Sequence, residues 1–416
     1  MNQKPKAGYL SEYFEGVAIK RLSAVEADQT RSHQHEYNAT KEMLDFMGRP
    51  TGKPRLPARF LYLNDEDDEP VIEDATLTLY DSRAAHPTRS EYRFYFPDTE
   101  VSQMAGEGDL LLIAKRRPTP GDENDPGLLV VIAETGSSIA NQIKWLFGVG
   151  GDDLIPRFSV RSELENEQDR VGFAASVILE SIGVEVEQRA ETYLEEMLTR
   201  FQGKFPRTVD FSSYARDTLS GIDARDDPDS ALMAWMEREE ILFRTMERHL
   251  IAERLRAGFN GDQATEEFIK FSLSVQNRRK SRVGLALENH MEVVFTALGV
   301  RYKRTAITEN KSKPDFLFPG QNEYHDSAFP TARLSMLAVK STCKDRWRQV
   351  LAEADRITDK HLLTLETAIS TNQTNEMQDK RLQLVLPRAL HSTYTAPQQA
   401  WLSDLRSFTE VVRARQ

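Results

Sequence analysis

The sequence predicts a multidomain α+β protein, with a β-rich N-terminal domain followed by a C-terminal α/β domain. Its 416 residues exceed the usual size of one domain, so two or three domains are expected. Short runs of alternating apolar residues fill roughly the first 170 residues, whereas helical and strand-like segments alternate after them. The content of 39% hydrophobic and 29% charged residues is typical of a globular protein and excludes a disordered or fibrous chain.

Five runs in the N-terminal part predict β-strands. Each is rich in apolar residues and is bounded by Asp, Asn, Gly or Pro, which favour turns. Many short strands separated by turns indicate a barrel or a sandwich. The predicted strands are Phe60–Leu63, Ala75–Tyr80, Tyr92–Phe96, Leu110–Ala114 and Leu128–Ile132.

Beyond residue 170 the spacing of apolar residues becomes helical. Over Phe173–Gln202 they recur three or four positions apart, and Gly183 is a candidate break in this helix. The other predicted helices are Asp229–Ala257, Asp262–Val275, Leu285–Leu298, Trp347–Asp359 and Gln398–Arg413. The predicted strands are Arg301–Ile307, Asp315–Phe318, Leu334–Val339 and Arg381–Leu386.

Charge is distributed unevenly along the chain. The whole sequence has a net charge of −11, yet residues 270–360 contain 17 Lys or Arg against 10 Asp or Glu. Phosphate binding depends on the local potential, so a basic segment in an acidic protein favours a polyanion-binding surface. A solvated charged surface is the alternative explanation.

The single cysteine, Cys343, excludes an intrachain disulfide. It also argues against a structural zinc site, which usually needs several thiolates. A cytoplasmic location is expected, because disulfide-free proteins suit a reducing compartment. No apolar run approaches the roughly 20 residues of a membrane span, and the N-terminus lacks the apolar stretch of a signal peptide.

Four residues are candidates for catalysis by metal-assisted phosphodiester hydrolysis. Glu288 lies on a predicted helix, Asp315 follows a proline at the start of a strand, Lys340 ends an apolar strand, and Glu353 lies on the next predicted helix. A hard cation such as Mg²⁺ prefers carboxylate oxygens and can activate water beside a phosphate. An ammonium can stabilise the negative charge that develops. By itself the pattern also fits a turn aspartate and a surface lysine.

Basic residues flank these candidates on both sides, which favours the nuclease interpretation. Lys344, Asp345 and Arg346 lie between the Lys340 strand and the next helix. Arg and Lys can donate to guanine O6 and N7, and Asp can accept from cytosine N4. Asp345 could equally cap the helix. The other flanking basic residues are Arg278, Arg279, Lys280, Arg282 and Arg348.

Three segments of the C-terminal half resemble the catalytic half of EcoRII-type (type IIE) restriction endonucleases. They are SVQNRRKSRVGLALENH, ITENKSKPDFLFPGQNEYHDSAFP and MLAVKSTCKDRWRQVLAEAD, and the similarity is nearly ungapped over about residues 270–365. Near the N-terminus, YFEGVAIKRLSA and TRSEYRF resemble that family's effector-DNA domain. The resemblance thus covers most of the chain.

For the C-terminal half, the resemblance implies a PD-(D/E)xK nuclease domain that makes Mg²⁺-dependent cuts in double-stranded DNA. Asp315 and Glu353 match metal ligands, Glu288 matches a further active-site carboxylate, and Lys340 matches the catalytic lysine. Lys344, Asp345 and Arg346 match the element that recognises the paired C and G at the edges of the site. A target with CC at one end and GG at the other is therefore expected.

For the N-terminal half, the resemblance implies a β-pseudobarrel like the plant B-three domain. This domain would bind a second copy of the DNA recognition site as an activator. Two arms, Lys20–Tyr37 and Thr88–Phe94, would hold this DNA. Solvated loop charges are the alternative for each arm, and His33 could equally be a plain exposed histidine. The residues that match are Lys20, Arg21, Ser23, His33 and Gln34 in the first arm, and Arg89, Glu91 and Arg93 in the second.

The expected organisation is an effector domain over 1–175, a connecting segment over 176–204 and a catalytic domain over 205–416. A homodimer, two copies of the DNA site and a cognate DNA methyltransferase are the expected partners. A non-cleaving, sequence-specific DNA-binding regulator on a nuclease scaffold is the alternative function.

Two departures from the family pattern leave the central bases of the site unassigned. The first arm carries additional charges, including Glu26 and Glu36. The segment Ala234-Trp235-Met236 replaces an arginine-rich stretch, and Trp235 could stack on a flipped base. We favour a core position for this tryptophan.

Overall fold

The computed structural model describes residues 5–27, 35–67, 69–118, 126–149, 157–186, 191–343 and 346–416. Within these ranges the protein is a mixed α+β structure with two sheets. The chain divides into two units, Met1–Val186 with Thr367–Asn372, and Glu187–Glu366 with Gln373–Gln416. None of the helices described is both long enough and apolar enough to cross a bilayer.

An eight-stranded sheet forms the centre of the first unit. Its strands are β1 (Phe14–Arg21), β2 (Glu36–Asn38), β3 (Arg55–Leu63), β4 (Val71–Asp81), β5 (Tyr92–Tyr95), β6 (Leu110–Arg116), β7 (Leu128–Ala133) and β8 (Ser159–Arg161). They lie side by side in the order β2-β5-β4-β3-β7-β6-β1-β8. All neighbouring strands are antiparallel except β3 and β7, which are parallel.

Alternate residues of the central strands belong to two different hydrophobic clusters. In β7, Leu129 and Val131 belong to one cluster, and Val130 and Ile132 belong to the other. A strand whose side chains are buried on both faces appears in sequence as an unbroken apolar run, which explains LLVVIA in β7. The helices of this unit are α1 (Ala24–Ala27), α2 (Met43–Met47), α3 (Glu100–Met104), α4 (Ser138–Leu146) and α5 (Phe173–Ser181).

After residue 190 the chain begins with four helices, of which the last two are long. Buried residues of the first three, including Met197, Phe211 and Phe243, share one hydrophobic cluster. The four helices are α6 (Glu191–Arg200), α7 (Thr208–Asp217), α8 (Pro228–Ala257) and α9 (Ala264–Ala297). The shorter helices that follow are α10 (Gln321–His325), α11 (Trp347–Val350), α12 (Thr371–Asp379), α13 (Ala396–Gln399) and α14 (Leu405–Arg415).

A five-stranded sheet organises the second unit. Its strands are β9 (Lys303–Arg304), β10 (Phe316–Phe318), β11 (Ser335–Lys340), β12 (Lys360–Thr364) and β13 (Leu382–Val385), in the order β13-β12-β11-β10-β9. Strands β9, β10 and β11 pair antiparallel, whereas β11, β12 and β13 pair parallel. Because β10 and β11 are antiparallel, the start of β10 and the end of β11 meet at one edge of the sheet.

All five strands predicted in the N-terminal part are confirmed, but β1, β2 and β8 were missed. The predicted break at Gly183 is also confirmed, since α5 ends at Ser181 and Gly183 has a positive φ of 79°. Three predictions in the second unit are wrong. The helix predicted over Gln398–Arg413 is two helices, α13 and α14, with no helix over residues 400–404. The helices predicted on either side of residue 280 are one continuous helix, α9. The helix predicted over Trp347–Asp359 ends at Val350, so Glu353 lies in a turn.

Candidate active site

Asp315 and Lys340 meet at the edge of the second sheet. Asp315 directly precedes the buried strand β10, and Lys340 is the last residue of the apolar strand β11. The Asp315 Oδ2 atom accepts a hydrogen bond of 2.7 Å from the backbone N–H of Val339 and lies 3.4 Å from Lys340 Nζ. The two side chains are 20% and 24% exposed. The acid is therefore fixed by the neighbouring strand and remains reachable from solvent.

Glu288 approaches the same edge from helix α9. Its Oε2 atom accepts hydrogen bonds from Arg304 Nη2 at 2.8 Å and Nε at 3.1 Å. Burial and then the charge of Asp315 raise the pKa of Glu288, while Arg304 and Lys340 oppose the rise. Because these charges act on one another, Glu288 shares one electrostatic environment with Asp315 and Lys340.

Glu353 completes the group from the turn that follows α11. Burial raises its pKa to about 7; Lys340 lowers it, Asp315 raises it, and Lys360 lowers it less. Its Oε2 atom is buried and has no hydrogen-bond partner among the described residues. Lys360 holds the turn by donating from Nζ to the carbonyls of Ala354 at 3.1 Å and Ile357 at 2.6 Å. A buried carboxylate oxygen without a partner is costly unless a cation or proton joins it.

The acidic residues are suited to a hydrated divalent cation. In the described part of the chain, no group of three His, Cys, Asp or Glu side chains is arranged to hold a metal ion. Mg²⁺, however, retains several waters and is often bound by only one or two carboxylates. Asp315 and Glu353 supply two, and the unpartnered Glu353 Oε2 is an available ligand atom. The donor set therefore fits Mg²⁺ with water completing its coordination.

Of the three residues expected to recognise the edges of the DNA site, one is described. Lys344 and Asp345 lie outside the described residues. Arg346 is exposed just before α11, and its backbone N–H donates to the carbonyl of Cys343 at 2.7 Å. Its side chain is therefore available on the surface near the end of β11.

Part of the flanking basic segment serves internal ion pairs instead of a DNA surface. Arg282 is buried and pairs with Glu240, and Arg279 Nε lies 2.7 Å from an oxygen of Glu247. Trp235 is only 5% exposed, and its ring lies 5.7 Å from that of His290. The core interpretation of Trp235 agrees with this burial.

The first expected effector arm is described only at its two ends, because His33 and Gln34 lie outside the described residues. Lys20 is 1% exposed and its ammonium pairs with Glu26, so the expectation that it contacts DNA is at odds with its position. Ser23 Oγ also donates to Glu26, at 2.9 Å. Arg21 lies nearer the surface and donates to the carbonyl of Gly108 at 3.0 Å.

The second expected arm, Thr88–Phe94, is exposed at residues 88–90, partly buried at 91–93 and buried at Phe94. Residues 82–90, including Arg89, are all exposed. Arg93 lies between two carboxylates, with Nη1 2.5 Å from Glu36 Oε2 and Nη2 2.7 Å from Glu91 Oε1. The hydrogen bonds that Arg93 donates to Glu91 and then to Glu36 raise the pKa of Arg93. The arginine and glutamate expected to contact DNA are thus paired with one another.

Arg304 and Lys360 were not singled out from the sequence, although both shape the site. Arg304 lies within a predicted strand and Lys360 follows a predicted helix, where each is one of many basic residues. Neither belongs to a short motif. The contact of Arg304 with Glu288 joins a strand to a helix 16 residues earlier, whereas Lys360 binds carbonyls only 3 and 6 residues before it.

Two solved structures resemble parts of this chain. Metal-depleted Ecl18kI in complex with uncleaved, modified DNA has a TM-score of 0.43 and 15% identity, covering 54% of this chain and 83% of that chain. A complex of the restriction endonuclease PspGI with substrate DNA has a TM-score of 0.37 and 15% identity, covering 55% and 92%.

Sequence similarity extends much further. Residues 243–409 match the family described as EcoRII C terminal. The type II restriction enzyme EcoRII of Escherichia coli is 45% identical over 397 residues, which cover 94% of this chain and 92% of that protein. With this identity along almost the whole of both sequences, the chain belongs to the EcoRII family of type II restriction enzymes.

Proposed function

We propose that the protein cuts both strands of DNA at a short site with CC at one end and GG at the other, using Mg²⁺. The observation that carries this proposal is the Asp315–Lys340 pair at the sheet edge, with Glu288 and Glu353 in its electrostatic environment. The second unit would then be a PD-(D/E)xK nuclease domain, in which an acidic residue and a lysine on neighbouring strands act on one phosphate.

Asp315 and Glu353 would hold the cation, which when bound supplies positive charge to the phosphate and makes a water molecule more acidic. The Lys340 ammonium would stabilise the negative charge that grows on the phosphate and orient the attacking water. The Val339 N–H keeps the Asp315 carboxylate in place during this step. Glu288, held by Arg304, would accept hydrogen bonds from water at the same edge.

Recognition of the DNA would use Lys344, Asp345 and Arg346, which match the family element for paired C and G. A twofold homodimer would match the symmetry of the site. We further propose that the first unit is a pseudobarrel of the plant B-three type that binds a second copy of the site. A cognate methyltransferase would protect the host's own sites, and the cytoplasm remains the expected location.

The catalytic assignment is tested with Asp315→Ala and Lys340→Ala in a plasmid cleavage assay with Mg²⁺. Both variants should lose cleavage by at least about a thousandfold, since each removes a group that acts on the reacting phosphate. Asp379→Ala and Lys380→Ala are matched controls, because both side chains are exposed at the end of α12. Retained cutting by either active-site variant would reject the assignment. Run-off sequencing of the cut ends gives the site and stagger.

Activation by a second site is tested by removing residues 1–175. If the first unit restrains the nuclease, the second DNA must bind the unrestrained form preferentially. The shortened protein should therefore cut single-site DNA faster than the full chain does. An unchanged or lower rate would count against restraint by the first unit.

The alternative is a DNA-binding regulator that does not cleave. The presence of suitable side chains at all four active-site positions disfavours it. A purified protein that retards DNA in a gel but never cuts it, with Mg²⁺, Mn²⁺ or Ca²⁺, would favour it.

A further inference from the structure

Arg304 uses most of its hydrogen-bonding capacity on one short segment of helix α9. Its Nε and Nη2 atoms donate to Glu288, and its Nη1 atom donates to Glu292 Oε2 at 2.6 Å and to Asn289 Oδ1 at 3.0 Å. Arginine presents its donors in a rigid planar fork, so several simultaneous bonds fix both position and orientation. Arg304 therefore binds the turn of α9 that bears Glu288.

The other end of Arg304 is fixed to the strand that begins at Asp315. In the β9–β10 ladder, Arg304 is the partner of Phe316, the residue after Asp315. The next backbone N–H, that of Thr305, donates to the Asp315 carbonyl at 3.0 Å. Arg304 thus connects the Glu288 carboxylate to the backbone of Asp315 through one side chain and two adjacent backbone positions.

This connection differs from an ordinary surface ion pair. The Arg304 and Glu288 side chains are 23% and 18% exposed. An exposed pair contributes little and seldom fixes geometry, whereas a partly buried fork with four bonds does both.

We infer that Arg304 is a positioning residue for cleavage, which acts by holding the Glu288 carboxylate at a fixed place relative to Asp315. The hydrogen bonds described for its guanidinium go to Glu288, Asn289 and Glu292, so its effect on the reaction would pass through Glu288. The inference rests on the proposed function, because it assumes that Glu288 takes part in cleavage.

A double-mutant cycle tests it with the full-length protein. Single-turnover cleavage of two-site DNA is measured for Arg304→Gln, Glu288→Gln and the double variant. Arg304→Gln should slow cleavage about a hundredfold, the order expected when a catalytic group is misplaced by about 1 Å. In the Glu288→Gln background, the same change should slow cleavage by less than about twofold, because residues that act as one unit are not additive.

Three further measurements separate positioning from folding. Arg304→Lys keeps the positive charge but loses the planar guanidinium, so its cleavage rate should lie between those of wild type and Arg304→Gln. Arg301→Gln is the matched control, because that side chain is 59% exposed and contacts Glu323 at 3.7 Å and a Gln416 backbone oxygen at 3.4 Å instead of the active-site acids. It should cleave like wild type. Binding of DNA without divalent metal should change by less than about threefold in Arg304→Gln, because the guanidinium is occupied by side chains of α9.

The outcomes are distinguishable. The inference is overturned if the double variant loses cleavage rate by the product of the two single losses, or if Arg304→Gln cleaves like wild type. Either result leaves the proposed function intact. Wild-type cleavage by Glu288→Gln would instead remove Glu288 from the proposed function. If Arg304→Gln does not fold, Arg304→Lys alone in both backgrounds decides the question by the same comparison.

Discussion

Substituting Glu353 by Gln should stabilise the metal-free protein, and the gain should grow with pH. Burial raises the pKa of this carboxyl from 4.5 to about 7. The folded protein therefore binds a proton more tightly than the unfolded chain. A carboxyl of this kind makes the folded protein less stable as pH rises from the pKa in the unfolded chain through the pKa in the folded protein. Above pH 7 the folded protein must hold a buried charge that the unfolded chain exposes to water.

The magnitude follows from the size of the shift. About 2.5 pKa units at about 1.4 kcal/mol per unit give about 3 kcal/mol at pH 8. At pH 5.5 the unfolded chain has already ionised while the folded carboxyl is still protonated, and the same relation gives about 1 kcal/mol. Glutamine has no charge to bury, so its advantage over Glu353 should rise by about 2 kcal/mol between these two pH values.

Urea unfolding in EDTA, followed by tryptophan fluorescence, measures this difference. Trp347 is fully buried in the helix that precedes the Glu353 turn and provides a local signal. Glu410→Gln is the matched control, because Glu410 is exposed on α14 and its loss should change stability by less than about 0.5 kcal/mol. If the difference in unfolding free energy between Glu353→Gln and wild type stays constant from pH 5.5 to 8, the reasoning is refuted.

Three other outcomes are expected. Cleavage at low Mg²⁺ should rise as pH increases through about 7, since Glu353 must ionise to bind the cation, and more Mg²⁺ should lower the midpoint of the pH–rate curve. Glu36→Gln should tighten binding of effector DNA about threefold in a low-salt gel-shift assay, because one of the two carboxylates on Arg93 is lost. Phe243→Ala should lower the unfolding free energy by about 3–5 kcal/mol in urea, because its ring is fully buried.

The sequence was sufficient to predict the acid–lysine pair because local patterns mark both residues. Asp315 is the first polar residue before a buried strand, and Lys340 is the first after another. The position of Glu353 was not predictable in the same way. Helical spacing continues past Val350, yet the helix ends there, and Lys360 Nζ binds the carbonyls of Ala354 and Ile357 in the turn that follows. No short motif marks this early end of the helix.

Helix α9 and Lys20 are two further places where the sequence did not reveal the contacts that decide the structure. The apolar spacing fades near residue 280, which suggested two helices, but Arg279 and Arg282 form ion pairs with α8 and the helix continues. Arginine and lysine are good helix formers, so charge alone does not end a helix. Lys20 was expected to contact DNA because it matches the family's effector-DNA arm, and that match does not reveal that its ammonium is buried in a pair with Glu26.

The continuity of α9 has a mechanical consequence. Its 34 residues form a rod about 50 Å long, and Glu288 lies about 30 Å along it from Phe268. Phe268 and Leu273, on the first half, are 48% and 52% exposed. A partner that binds those apolar side chains and tilts the helix by about 5° would displace Glu288 by about 3 Å. A displacement of roughly 1 Å is already enough to misplace a catalytic group.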